Sequence, residues 1–245
     1  MEPQIVYQDN FLLILNKPPN WVVNRARTTK NRQTIQDWLE NNFSRLSGIP
    51  LWREKFRSGI VHRLDKDTSG LIILAKNPEA LNRLQALFQN HEIKKSYQAL
   101  VFGKLDQPTG EITGFIGRDP EARRKQIVKT IHFDFQPGKV RQAKTIYKVI
   151  KEYHFKNYNL TLAEATIETG RMHQIRVHFK SIGHPVIGDH VYNIKHSRIV
   201  SKALGISRQF LHAYKLSFKN PFDHKNINLE ISLPDDLKEI LAKLS

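Results

Sequence analysis

Gly59-Ile60-Val61-His62-Arg63-Leu64-Asp65-Lys66-Asp67-Thr68-Ser69-Gly70-Leu71 packs polar groups between two hydrophobic runs. Ile60 and Val61 read as the start of a strand that breaks into the turn Asp65–Gly70, and Leu71–Ala75 reads as a buried strand. A carboxylate at such a strand end can face a cleft. The same residues also suit a tight loop in which Asp67, Thr68 and Ser69 bond their own backbone. Asp67-Thr68-Ser69-Gly70 has only a superficial likeness to an aspartic protease, since there is no second copy and that chemistry needs two carboxylates sharing a proton.

To the N-terminal side, Ile5–Tyr7 and Phe11–Leu15 read as strands joined at Gln8-Asp9-Asn10, and Asn16-Lys17-Pro18-Pro19-Asn20 interrupts the pattern. Ile35, Trp38, Leu39, Phe43 and Leu46 recur at helical spacing, so Thr34–Leu46 is expected as a helix, closed by Gly48-Ile49-Pro50. Beyond the central stretch, Asn77-Pro78 opens a helix that carries Leu81, Leu84, Leu87 and Phe88. Strands are expected at Ser96–Phe102, Glu111–Ile116, Ala143–Val149, Leu160–Ile167 and Phe210–Phe218, and a final helix at Pro234–Leu244. Strands occur in runs and outnumber helices, which argues an α+β fold with a large, mainly antiparallel sheet. The basic Arg123–Lys156 region, with Pro137-Gly138 inside it, suggests an included mobile loop rather than a domain linker.

The second polar stretch is Thr169-Gly170-Arg171-Met172-His173-Gln174-Ile175-Arg176-Val177-His178. It leads into a helix with Ile175, Phe179 and Ile182 on one face, stopped by Gly183. His173 and Arg176, three apart, share a face, whereas His173 and His178, five apart, do not and make a poor metal pair. The free amides at the helix start could hold a phosphate, and a plainly solvated amphipathic helix is the alternative.

The 245 residues hold 39 Lys and Arg against 23 Asp and Glu, a net charge of +16. The excess is uneven: Arg123–Lys156 has ten basic residues against Asp134 and Glu152. That points to a polyanion partner rather than to charge spread for solubility. The absence of Cys excludes a disulfide scaffold, a thiol nucleophile, a thiolate zinc site and an iron–sulfur cluster. There is no H-E-x-x-H pattern and no phosphate-loop glycine pattern, so neither a metal nor a nucleotide cofactor is expected. Composition leaves a Ser-His-Asp triad open, but no G-x-S-x-G elbow supports one. No apolar run approaches a membrane span and the N-terminus lacks a secretory signal, so a soluble, cytoplasmic protein with no membrane partner is expected.

Taken in order, these stretches resemble the RluA-type pseudouridine synthases, which isomerise uridine to pseudouridine in structured RNA. Asn16-Lys17-Pro18-Pro19 looks like the family's first motif, and His62-Arg63-Leu64-Asp65 through Leu71 like its catalytic motif. Lys95-Ser96-Tyr97-Gln98-Ala99-Leu100-Val101 resembles the strand of the family tyrosine. Ile116-Gly117-Arg118-Asp119 and Ala143-Lys144-Thr145-Ile146-Tyr147 also match. Gly170–His178 with Gly183–Asp189, then Arg208–Ala213, resemble the last motifs. Asn20 stands where a glycine is expected, Met172 where Thr is common, and the segment Asn24–Arg32 is unusually polar.

The resemblance implies the pseudouridine synthase catalytic fold, its sheet flanked by helices and loops around a central cleft. It implies one catalytic domain over residues 1–245, whole or as two fused subdomains, with no separate N-terminal RNA-binding module. By the same likeness Asp65 is the nucleophile or ion-pair partner, Arg176 the cation that keeps it ionised, and Tyr97 the residue that packs on uracil and assists proton removal. Leu211 is the apolar wall of the pocket. Arg63 fills the space of the flipped base, and Arg171, His173, Arg123, Arg124 and Lys125 hold phosphates. No cofactor is implied. The expected substrate is structured ribosomal or transfer RNA, bound by a monomer. Two rivals stay open, a non-catalytic RNA-binding protein on the same fold and a glycosidic-bond hydrolase, although the hydrolase would need a second opposed carboxylate.

Overall fold

The computed structural model describes residues 1–25, 33–43, 59–119, 126–129 and 140–244. In chain order these form β1 (Gln4–Gln8), β2 (Leu12–Lys17), α1 (Ile35–Asn42), β3 (Ser69–Ala75), α2 (Pro78–Gln89), β4 (Lys94–Phe102), β5 (Thr109–Arg118), β6 (Gln126–Lys129), β7 (Val140–Phe155), β8 (Tyr158–Ile167), α3 (Gln174–Ser181), α4 (Lys195–Leu204), β9 (Leu211–Lys219), β10 (Asn226–Glu230) and α5 (Asp235–Ala242). This is the α+β class that the sequence argues. The chain divides into two compact units, Met1–Lys94 with Ala213–Ile231, and Lys95–His212 with Ser232–Ser245. Among the described residues no helix is long and apolar enough to cross a membrane.

In the first unit the strands run β1-β2-β3-β9, and β10 pairs with β9. The β1–β2 turn is set by Asp9, whose carboxylate accepts the N–H groups of Phe11 and Leu12 at 2.7 and 2.8 Å. β3, Ser-Gly-Leu-Ile-Ile-Leu-Ala, is buried along its whole length, as an unbroken apolar run covered on both faces must be. Asn77 caps α2 by accepting the Ala80 N–H, and Pro78 occupies its first turn. Leu12, Ile14, Leu71, Ile73, Leu84 and Phe218 make the core of this unit.

In the second unit the order is β4-β8-β7-β5-β6, antiparallel at β4–β8, β7–β8, β5–β7 and β5–β6. One cluster centred on Leu100, Leu162, Phe210 and Leu237 packs α4 and α5. A smaller one, Ile116, Ala143, Val177 and Tyr192, fixes α3 over β5 and β7.

Several expectations change. Ile60 and Val61 do not form a strand; Ile60 makes one isolated bridge to Leu74. The cause is His62: Ala75 N–H still reaches Gly59 O, but the next outward N–H, that of Ile73, donates to the His62 ring at 2.8 Å. A side chain replaces the ladder bond, and the backbone leaves the sheet. Within Arg123–Lys156 the strand expected at Ala143–Val149 is present and longer, residues 140–155, and β6 precedes it. Ala143, Thr145 and Tyr147 alternate inward there. Pro137-Gly138 lies outside the described residues. α1 ends at Asn42, with Thr34 as its N-cap; Leu46 and Gly48-Ile49-Pro50 also lie outside. Ile182 is exposed because α3 closes at Ser181, before its fourth apolar position. α4 and β10 have no counterpart among the elements that the sequence pattern predicts.

Candidate active site

In the first unit Asp65 begins a tight turn, with Thr68 N–H donating to its carbonyl at 3.2 Å. Asp65 is half-buried and Arg63 is exposed. The turn is tied down on both sides. Lys17 is wholly buried, and its Nζ donates to the carbonyls of Pro18, Trp21 and Lys66 at 3.0, 3.1 and 3.0 Å. An ammonium has three N–H donors, and these three acceptors match them. One belongs to the residue after Asp65, so Asn16-Lys17-Pro18-Pro19 acts on the Asp65 turn through a side chain. His62 ties the preceding segment to β3, and its ring stacks on Phe88 at 4.5 Å. Because Nε2 accepts from Ile73, the neutral ring carries its proton on Nδ1.

Gly70 closes the turn at φ +118°, and a β-carbon there would fall 2.3 Å from the Ala213 carbonyl oxygen of β9. Only glycine lets the two backbones pass so closely. Asn20, the departure from the family pattern, has φ +69°. Asn is among the few residues that tolerate this left-handed geometry, so the turn after Pro18-Pro19 keeps a glycine-like backbone.

In the second unit Gln174 stitches the entry of α3 to β7. Its Oε1 accepts from the Thr169 hydroxyl and the Arg171 N–H, and its Nε2 donates to Lys144 O and Thr145 Oγ1. The next turn presents Arg176, buried and clasped by Asp189. Nε and Nη2 of Arg176 donate to the two carboxylate oxygens at 2.7 and 2.9 Å. Asp189 also accepts the N–H groups of Val191 and Tyr192 at 2.8 and 3.1 Å. Burial alone would push its carboxyl up; the Arg176 guanidinium and those two amides outweigh it and hold the group below its ordinary value. Sequence reasoning assigns Asp189 no role. The signal for one is an acid directly after the apolar Pro185-Val186-Ile187-Gly188. Gly188, at φ +78°, is fixed because a β-carbon there would meet the Arg208 carbonyl at 2.0 Å.

Tyr192 is a second residue that sequence reasoning misses. Its ring lies 5.1 Å from the Arg176 guanidinium, and its hydroxyl contacts His173 Nδ1 at 2.9 Å and accepts from the Gln126 N–H at 2.7 Å. His173 thus meets Arg176 through Tyr192, and it adopts a left-handed φ of +57° as the residue that begins α3. Tyr97 is buried on β4 opposite Ala165, and Leu211 is buried at the start of β9. Arg171 is half-buried, and its Nε donates to Gln142 O at 3.2 Å. Burial first, and Arg141 second, lower its pKa. Arg123, Arg124 and Lys125 lie outside the described residues.

A family model described as RNA pseudouridylate synthase matches residues 11–181. Ribosomal large subunit pseudouridine synthase D of Neisseria meningitidis is 38% identical over 250 residues, covering all of this chain and 62% of that protein. The protein of the same name from Zymomonas mobilis is 35% identical over 243 residues, covering 98% of this chain and 72% of its own length. The chain thus spans about three fifths of the length of the first relative. The solved structure of Human RNA Pseudouridylate Synthase Domain Containing 1 superposes with a TM-score of 0.72 at 25% identity, over 95% of this chain and 84% of that one.

Proposed function

The chain belongs to the RNA pseudouridylate synthase family, and we propose accordingly that it isomerises uridine to pseudouridine in structured RNA, with large-subunit ribosomal RNA the substrate its named relatives favour. The reaction breaks the bond between ribose and a uracil nitrogen, turns the base and rejoins it through a ring carbon. No electrons enter or leave, so the protein's task is to bind, orient and stabilise charge.

In this reading the Asp65 carboxylate attacks the sugar or base, or stabilises the positive charge that develops on the sugar. Arg176 supplies the guanidinium that the family likeness assigns to the reaction. The Tyr97 ring stacks on uracil, and its hydroxyl assists removal of the proton from the newly bonded carbon. Leu211 limits water that would hydrolyse a detached intermediate. Arg63, exposed two residues before Asp65, is suited to the space left by the flipped base.

The observation that carries the reading is the anchored Asp65 turn. A buried lysine, a ring nitrogen and an obligate glycine hold the backbone turn that carries Asp65, just before β3. A protein that only binds RNA has no need of a carboxylate so held, beside a polyanion that repels it.

Asp65→Asn is expected to abolish pseudouridine formation on an unmodified large-subunit ribosomal RNA transcript while retaining RNA binding. Normal turnover by this variant would remove the assignment. Release of free uracil by the wild type would favour the hydrolase instead, and unchanged RNA the non-catalytic binder.

A further inference from the structure

The register of the second unit places two arginines where a protein core would ordinarily continue. Ile116 on β5 faces Arg141 on β7, and Arg118 on β5 faces Gln126 on β6. Directly opposed antiparallel residues share a face, and so do residues two apart along a strand. Arg118, Arg141 and Gln126 therefore lie on the same face as Ile116 and Ala143, the face that α3 covers. The apolar cluster stops at Ile116, and the next positions along that face are cationic. The segment entering α3 adds Arg171, held by its bond to Gln142 O. Together these residues line a concavity of about 330 Å³, with Gly117 and Gly170 in its wall.

Among the described residues no ion pair includes Arg118, Arg141 or Arg171. Arg141 stands close enough to lower the pKa of Arg171. The amine of Lys95, a buried residue, lies 4.0 Å from where a Gly170 β-carbon would be. Burial brings Lys95 down to about 8. Gathering like charges around one hollow opposes folding unless an anion completes it. Planar guanidinium forks match phosphate oxygens two at a time.

We propose that this concavity is a built site for a backbone phosphate of the RNA substrate, clamped by Arg118, Arg141 and Arg171. This rests on the RNA reading above and adds to it a fixed register point. A phosphate bond positions the strand without reading its sequence. Gln126 borders the hollow, and its backbone N–H holds the Tyr192 hydroxyl whose ring packs on Arg176. An RNA strand seated here is thereby registered against the element that carries Arg176.

The test uses the full chain and an unmodified large-subunit ribosomal RNA transcript. For Arg118→Ala/Arg141→Ala the RNA Kd and KM are expected to rise about ten-fold or more, with the effect in KM rather than kcat. The slope of log affinity against log salt is expected to fall by about 0.7–0.9, the share of the one phosphate that is no longer neutralised. Arg118→Lys/Arg141→Lys, which keeps the charge and removes the fork, is expected to recover the salt slope and only part of the affinity. An unchanged Kd and slope in the alanine variant, with wild-type turnover intact, would overturn the clamp and leave the RNA reading standing. A kcat decrease at constant KM would also overturn it. Titration with inorganic phosphate separates the source of the anion: phosphate binding that depends on both arginines while RNA affinity does not would mark a free-phosphate site and refute the proposal. Absence of pseudouridine with the wild type would refute the RNA reading itself.

Discussion

Asp189→Asn is the sharpest test of how Arg176 is held. The substitution keeps shape and size but removes the carboxylate that clasps the buried Arg176 guanidinium. Breaking a buried pair by removing one partner costs about 3–5 kcal/mol, because the other charge stays buried without compensation. At about 2–4 °C per kcal/mol for a chain of this size, melting should fall by about 6–20 °C. The expected companion is a loss of turnover in the folded variant, since an amide accepts only part of the hydrogen bonding that aligns Nε and Nη2. Acid behaviour should change as well. A carboxyl held below its ordinary value contributes stability that is fully present above the unfolded value near 3.8 and is lost as pH falls through the folded one. The asparagine variant should lack that acid-side loss. A double variant, Arg176→Met/Asp189→Asn, separates the two roles. It should regain most of the lost stability, because both charges leave while the asparagine oxygen still accepts the Val191 and Tyr192 N–H groups, yet form no pseudouridine. Calorimetry and a pseudouridine assay on all three proteins complete the test. If Asp189→Asn melts within about 2 °C of wild type, or if the double variant melts no higher than Asp189→Asn, the carboxylate is not what neutralises Arg176.

Two further outcomes follow from backbone and burial. Asn20→Gly should raise stability by up to ~1 kcal/mol and Asn20→Ala should lower it by about 1 kcal/mol, read by urea denaturation, because φ at this position is +69°; equal effects from Gly and Ala would refute the backbone explanation. His178 is fully buried, Nδ1 meets the Thr145 hydroxyl at 2.9 Å, and burial lowers its pKa to about 4. A histidine kept neutral when folded but protonated when unfolded costs stability as pH falls from about 6.5 towards 4, by at most about 3 kcal/mol. His178→Leu should flatten that part of the pH–stability curve, and an unchanged slope would show that His178 does not titrate on unfolding.

Much of the framework was legible because it rests on period and punctuation. β3 is an unbroken apolar run, α2 is announced by Asn77-Pro78, and α3 ends before Gly183. The errors share a cause: a side chain or a charge took over a job that pattern assigns to the backbone. The strand expected at Ile60–Val61 fails because the His62 ring accepts the Ile73 N–H. Lys17, which the sequence places only in a stretch that interrupts the strand pattern, is wholly buried, since three carbonyls converge on it, one of them from a distant position. β7 runs past the expected Ala143–Val149 at both ends, where charged residues interrupt the apolar alternation. At the candidate site the ionisable residue types were legible, but the pairing of Arg176 with Asp189 spans thirteen residues and a turn that only Gly188 permits.

The same distinction changes what the net charge of +16 means. A sum over the sequence treats each cation alike, but the fold does not. Lys17 and Arg176 add two positive charges to that sum, yet each is buried and bonded to carbonyls or a carboxylate. Such groups shape a site and project little field into solvent. Arg118, Arg141 and Arg171 line an open hollow, and no carboxylate among the described residues forms an ion pair with them. Their field reaches outward, and a polyanion can answer it. On the proposed function, the charge that governs encounter with RNA is therefore the part left unpaired at the surface. On the same proposal, the paired and buried part governs the geometry in which a bound uridine would react.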